Sequence, residues 1–250
     1  MAIDNAQILA ELDPDQLAVV TAISGPVCVI AGAGTGKTRV ITNRIAYAIN
    51  AGVTDPTKVL ALTFTAKAAG EMRARLRVLG ISNAAARTFH SAALKQLLYF
   101  WPYAFGGQFP SLLTTKSGFI SQAITRAEVA IPAQVNALRE IASEIEWAKV
   151  LEISPEDYQE RAIESSRLVK LPNSKTQGEN LSMIAQVYEA YESLKKQERT
   201  LDFEDVLLLT VGMLEEDRGV RERVRDQYRY FTVDEYQDVS PLQQRLLNLW

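Results

Sequence analysis

The sequence predicts an α/β fold with a parallel sheet, interrupted by an all-helical inserted domain, and three observations carry that prediction. A glycine-rich loop, Ala31-Gly32-Ala33-Gly34-Thr35-Gly36-Lys37-Thr38, lies between an apolar run and a helical pattern. Short apolar runs at 27–30, 59–63, 87–89 and 230–233 each sit beside a helical segment, the arrangement of a parallel sheet covered on both faces. From about 105 to 200 the pattern changes. Helical periodicity near 119–129, 134–150, 155–165 and 179–197 is broken at Gly106-Gly107, Pro132, Ser154-Pro155 and Leu171-Pro172-Asn173, with no convincing strand.

Each element has a local reason. Residues 14–22 read as a short helix, with Asp13 as N-cap and Pro14 at its first position. Residues 27–30 read as a buried strand, which places Cys28 in the core. After Lys37, Val40, Ile41, Ile45, Ala48 and Ile49 recur at helical spacing. Strand, glycine-rich loop and helix together are the context of a phosphate-binding loop. Its glycines let the backbone curl so that successive N–H groups converge on a polyanion, and the helix N-terminus adds partial positive charge. In that role Lys37 reaches the β and γ phosphates and the Thr38 hydroxyl ligates Mg²⁺. The general pattern has glycine where this chain has Ala31. A ligand-free turn is the competing reading, but a lysine aimed into a loop with no anion gains nothing.

The run Phe231-Thr232-Val233-Asp234-Glu235 is an apolar strand ending in two acids. Opposite a phosphate-binding loop, Asp234 suits the Mg²⁺ side and Glu235 suits the general base that activates water. Consecutive acids are common on surfaces, so the pairing with the upstream loop carries this reading.

Composition bounds the rest. With 250 residues, 47% hydrophobic and 23% charged, one or two ordinary globular domains are expected. No apolar run approaches the ~20 residues of a membrane span. Residues 1–13 carry acids and no basic residue, unlike a secretory signal. A single cysteine excludes an internal disulfide and a cysteine-based metal cluster, and a reducing cytoplasm fits. The net charge of −3 gives no global sign of nucleic-acid binding. Locally, however, residues 61–96 hold Lys67, Arg73, Arg75, Arg77, Arg87 and Lys95 against Glu71 alone, a segment at +5. A solvated helix face explains such charge equally well.

Asp234-Glu235-Tyr236-Gln237-Asp238 makes the resemblance specific: it is similar to motif II of the UvrD/Rep/PcrA-like helicases of superfamily 1. The Ala31 form of the loop is that family's variant. Leu12-Asp13-Pro14-Asp15-Gln16 resembles its Q motif, and Thr63-Phe64-Thr65-Ala66-Lys67-Ala68-Ala69-Gly70-Glu71-Met72 its motif Ia, with Ala66 where asparagine is usual. Thr88-Phe89-His90-Ser91 resembles motif Ib, and Leu201-Asp202-Phe203-Glu204-Asp205 the acidic-aromatic stretch that follows the helical insertion.

The resemblance implies an ATP- and Mg²⁺-dependent DNA helicase or translocase with a RecA-like P-loop NTPase core. By resemblance, Gln16 reads the adenine edge and Arg39 stacks on it, beside Ala31, Gly32, Ala33, Gly34, Thr35, Gly36, Lys37 and Thr38. Lys37, Asp234, Glu235 and Gln237 form the catalytic set, with Gln237 coupling phosphate state to DNA grip. Thr63, Phe64, Lys67, Thr88, His90 and Ser91 line a single-stranded DNA channel. There Phe64 stacks a base, the hydroxyls and His90 meet phosphates, and Lys67, with Arg73, adds charge. His90, the only histidine, lacks companion metal ligands.

The resemblance also implies 3′-to-5′ travel, single-stranded DNA and single-strand/duplex junctions as partners, and no membrane. It divides the chain into motor domain 1A (1–104 and 201–250) and helical domain 1B (105–200). The family's next strand and its domains 2A and 2B lie outside this sequence. The sheet is therefore expected to lack a central member, and the isolated chain to bind ATP and DNA with little or no turnover.

Overall fold

The computed structural model describes residues 4–32, 34–172 and 176–250. In chain order its first elements are α1 (Asn5–Leu9), α2 (Pro14–Thr21), α3 (Lys37–Asn50), β1 (Val59–Thr63), α4 (Ala66–Val78), β2 (Ala85–Thr88) and α5 (Phe89–Ala104). There follow β3 (Ser111–Leu112), α6 (Ser117–Arg126), α7 (Val135–Val150), α8 (Tyr158–Glu164), α9 (Gln177–Gln197) and β4 (Thr200–Leu201). The last are α10 (Phe203–Glu216), α11 (Arg218–Gln227), β5 (Tyr230–Val233) and α12 (Pro241–Leu249). Two units divide the chain: Met1–Gln96 with Leu214–Val239 and Leu249–Trp250, and Leu97–Met213 with Ser240–Asn248.

The first unit is built on a three-stranded sheet of order β2-β1-β5, parallel throughout. The central strand β1 is buried at all five residues, as a parallel strand covered on both faces must be. Its Val59 and Ala61 join Ile45 and Ala46 of α3 and Met72 and Leu76 of α4 in one core cluster. Leu60 is in register with Phe231, so the two share the opposite face. On Phe231 the Trp250 ring stacks with centroids 6.3 Å apart, and Trp250 stacks on Phe89 at 6.2 Å. The buried Trp250 indole donates to Gln96 Oε1 at 2.7 Å, which satisfies its one polar atom.

Residues 27–30 correct the sequence reading. They form no strand; Ile30 is 96% exposed, and Cys28 is exposed rather than core. Apolar content alone does not make a strand; a ladder partner must accept its backbone groups. Among the described residues β5 pairs only with β1, so residues 27–30 have no neighbour to bond. The other strand readings stand where the sequence put them, at Val59–Thr63 and Tyr230–Val233, with Ala85–Thr88 beginning slightly earlier than read.

The second unit centres on α6, α7, α8 and α9. Ile120, Ile124, Ile141, Ile145, Ile184 and Val187 fill its core, with Tyr158 and Tyr191 fully enclosed. The segment is not purely helical: β3 and β4 form a two-residue parallel ladder, with Ser111 opposite Thr200 and Leu112 opposite Leu201. Two-residue strands leave no readable alternation, which is why periodicity passes over them.

Charge is also buried in this unit. Lys149 and Lys195, each almost inaccessible, both bond Asp202 and Asp205, and Lys195 reaches Glu192 at 2.9 Å. Tyr191 donates to Asp202 Oδ2 at 3.0 Å. Burial by itself would raise the Asp202 carboxyl, but the two ammonium groups hold it well below the usual carboxylate range. Burial likewise works against the Lys149 charge, and Asp202, Glu192 and Asp205 more than reverse it.

Candidate nucleotide and nucleic-acid site

The phosphate-binding loop takes the geometry its glycines permit. Gly34 and Gly36 sit at φ +79° and +81°, and Gly36 is the N-cap of α3. A Cβ on Gly36 would be strained by that φ and would stand 3.4 Å from the Gln16 amide nitrogen. Thr35 donates its hydroxyl to Gly32 O at 2.9 Å, closing the loop on itself. Lys37 extends from the first turn of α3, and its ammonium donates to Ala31 O and Gly32 O at 3.3 Å each. A cation thus stands over exposed loop backbone at a helix N-terminus, the electrostatics of an anion site. Ala33 lies outside the described residues.

Gln16 organises the approach to this loop. Asp13 and Gln16 form a capping box at the start of α2. The Gln16 amide nitrogen donates to Thr35 O at 3.1 Å, and its Oε1 accepts from Arg39 Nη2 at 2.8 Å. Arg39 also donates to Glu11 O at 3.0 Å. One glutamine therefore ties α2, the loop and α3 together.

The acids sit at the end of β5. Asp234 is buried, and its backbone N–H continues the ladder by donating to Leu62 O at 2.9 Å. Burial and then the neighbouring Glu235 carboxylate push its carboxyl above the usual aspartate range, offset in part by the Glu235 N–H and the charge of Lys37. The two halves of the site therefore feel each other. Glu235 is exposed at φ +51°, and its carboxylate accepts from Gln237 Nε2 at 2.7 Å. Among the described residues Asp234 makes no ion pair, so it is a hard oxygen donor without a cation. With the Thr38 hydroxyl at the start of α3, that donor chemistry fits Mg²⁺.

The residues read as a DNA channel cluster at the ends of β1 and β2. Thr63 is buried, and its hydroxyl donates to Thr65 O at 3.1 Å. Phe64 is half-buried with its ring 6.0 Å from Phe89, while Lys67 is exposed on α4. Thr88 and Ser91 cap α5 reciprocally: Thr88 N–H donates to Ser91 Oγ at 3.0 Å and Ser91 N–H to Thr88 Oγ1 at 3.1 Å. His90 is half-buried at the same helix start.

Two groupings escaped the residue-by-residue reading. The Lys149–Lys195–Asp202–Asp205 cluster joins parts of the chain far apart in sequence, so no spacing betrays it. Glu192, Asp202 and Asp205 have the proximity of a metal site, but each already pairs with both Lys149 and Lys195. Arg87 and Lys95 were visible only as members of a basic segment.

A parallel α/β sheet, with a glycine-rich loop at a helix N-terminus and a strand that ends in two acids, defines an α/β class, and comparison with known proteins gives the family. Residues 12–250 match the model of the UvrD/REP helicase N-terminal domain, and the chain belongs to that family. It is 43% identical over its whole length to the "ATP-dependent DNA helicase UvrD2" of Mycobacterium tuberculosis, of which it spans 36%. It is 33% identical over 94% of its length to "ATP-dependent DNA helicase Rep" of Buchnera aphidicola, of which it spans 33%. The "ATP-dependent DNA helicase PcrA" of Leuconostoc citreum is 32% identical over 94% of this chain, which covers 30% of that protein. The chain thus spans about a third of the length of these curated relatives.

Proposed function

We propose that this chain is the N-terminal nucleotide- and DNA-binding part of an ATP-dependent DNA helicase or translocase, moving 3′ to 5′ with hydrolysis stimulated by single-stranded DNA. The observation that carries the reading is the glycine-rich loop with Lys37 at a helix N-terminus, in a unit whose β5 ends at buried Asp234. In this reading residues 1–104 and 201–250 are a RecA-like motor domain 1A and residues 105–200 a helical domain 1B.

Phosphates of ATP lie against the loop N–H groups from Gly32 to Thr38, and Lys37 exchanges its carbonyl partners for phosphate oxygens. Thr38 and Asp234 would hold Mg²⁺, which supplies charge neutralisation at the phosphates. Gln16 and Arg39 bind adenine. Glu235 accepts the proton of the attacking water and Gln237 holds its carboxylate until phosphate and DNA are both present. Thr63, Phe64, Lys67, Thr88, His90 and Ser91 contact single-stranded DNA near a junction, and domains 2A and 2B complete the motor.

Phosphate release by the full-length protein tests this. Turnover should rise on adding single-stranded DNA and disappear in Lys37→Ala; DNA-stimulated turnover retained in that variant would sink the assignment. A second reading applies to the 250 residues alone: ATP and DNA binding without turnover. The exposed position of Glu235 favours it, since a base open to solvent lacks a positioned water. Hydrolysis by the isolated chain at the rate of the full protein would refute it.

A further inference from the structure

On the free edge of β2 lies a cavity of about 570 Å³ that meets the proposed DNA channel at Thr88 and Ser91 and extends beyond it. Its charged lining is Arg73 of α4, Arg87 of β2 and Lys95 of α5, and no carboxylate lines it. Among the described residues none of these three cations makes an ion pair, although ion pairs are frequent elsewhere in the chain. The hydroxyl-bearing Thr88 and Ser91 form part of the same wall.

The three cations reach the cavity for separate structural reasons. Ala86 belongs to the sheet's core cluster, so strand alternation turns Arg87 to the other face. Arg73 crosses the strand edge and donates from Nη1 to Ala86 O at 2.6 Å, which leaves its remaining guanidinium N–H groups for another acceptor. Lys95 lies one helical turn beyond Ser91 on α5. Most telling is the Arg87 Nε, which is buried and has no hydrogen-bond partner. A buried donor without a partner leaves the guanidinium short of acceptors within the chain, and an anion in the cavity that Arg87 lines would answer its charge.

We infer that Arg73, Arg87 and Lys95 form a phosphate-binding pocket that takes the backbone phosphates of a nucleic-acid strand. The volume lies in the range of sites for drug-sized ligands, which suits a nucleotide unit better than a lone inorganic anion. Arginine forks match phosphate oxygens, and the charged side chains of the lining are all cationic, with the amides of Asn83 and Gln227 beside them. The pocket shares Thr88 and Ser91 with the proposed DNA channel, so the inference rests on that reading and extends the contact along β2.

The test is binding of a fluorescein-labelled oligothymidylate to the full chain, followed by anisotropy across a salt series. Arg87→Gln and Lys95→Gln should each bind several-fold more weakly and lower the slope of log affinity against log salt by about 0.7 per lost contact. Phe64→Ala serves as the control for the channel. If it loses binding while both pocket variants keep wild-type affinity and slope, the pocket inference falls and the channel reading stands. If none of the three changes binding, both fall.

Thermal melting adds two readouts. Arg87→Gln should melt no lower than wild type, because it removes an unpaired buried donor; a clear drop would mean the arginine is structural and would overturn the inference. Inorganic phosphate, added at matched ionic strength, distinguishes the source of the anion. If it raises the melting temperature in an Arg87-dependent way while oligothymidylate affinity stays unchanged in the variants, the assignment to a nucleic-acid strand is overturned in favour of free phosphate.

Discussion

Under the proposed function, Lys37 and Asp234 owe their roles to position. Lys37 bonds two loop carbonyls that offer little to a cation in water, so a phosphate readily displaces them. Replacement by alanine should weaken binding of a fluorescent ATP analogue at least tenfold without lowering the melting temperature. Equal affinity in the variant would remove Lys37 from the site. Asp234 begins with its carboxyl above the usual aspartate range, first through burial and then through Glu235. Only its ionised form serves Mg²⁺. Mg²⁺-dependent nucleotide affinity should therefore fall as pH drops through the raised value, at higher pH than an ordinary aspartate would allow. Asp234→Asn should weaken Mg²⁺-dependent binding and flatten that profile; an unchanged profile would place the acid elsewhere.

At the scale of elements, one helix end connects local chemistry to the site. The α2 capping box uses Gln16, whose side chain also serves the loop and Arg39, so local helix chemistry and site geometry share one residue. Asp13→Ala should cost about 1 kcal/mol through loss of the cap. It should also loosen Gln16, so nucleotide affinity is expected to fall even though Asp13 touches no nucleotide. Urea unfolding beside nucleotide titration separates the two effects, and a stability loss with unchanged affinity would refute the coupling. At Gly36 the backbone is the constraint: a φ of +81° strains any residue that carries a Cβ, although the nearest atom, the Gln16 amide nitrogen at 3.4 Å, would leave room for one. The pattern of sequence readings follows the same logic. α2 announces itself through its Asp13 cap, and α3 and α9 through long periodicity, whereas β3 and β4 are too short to do so.

Over the whole molecule, stability divides between an apolar core around β1 and a second unit that contains buried ions. Paired lysines and aspartates in that second unit do not add stability for free, since desolvation offsets most of the attraction, but breaking the set leaves charge unpaired. Lys149→Met should destabilise the chain by about 3–5 kcal/mol. The pH dependence follows from the two shifts. Asp202 is held below the ordinary aspartate value of 3.8, so its contribution is complete above that pH and is lost as pH falls through the lowered value. Lys149 is held above the ordinary lysine value of 10.5, so its contribution is complete below that pH and fades as pH rises through the raised value. Thermal melting across pH should show a broad plateau between these limits. A plateau unaltered at both ends by Lys149→Met would show that the cluster is energetically silent.

What the sequence determined by itself is whatever depends on near neighbours. The start of α3 after the glycine-rich loop, the strand ending at Asp234, the Asp13 cap and most helices were legible because backbone conformation, capping and periodicity act over a few residues. Tertiary structure decided what depends on distant ones. Residues 27–30 are as apolar as β1, yet β1 has a partner on each side and they have none, so one is a buried central strand and the other is exposed. Arg87 and Lys95 looked like any solvated basic face until the sheet edge gathered them with Arg73 around one cavity. Asp202 finds Lys149 only because helices pack, and it holds its charge in the interior only because that lysine is there. Burial and pairing are properties of the assembled chain, and no local pattern encodes them.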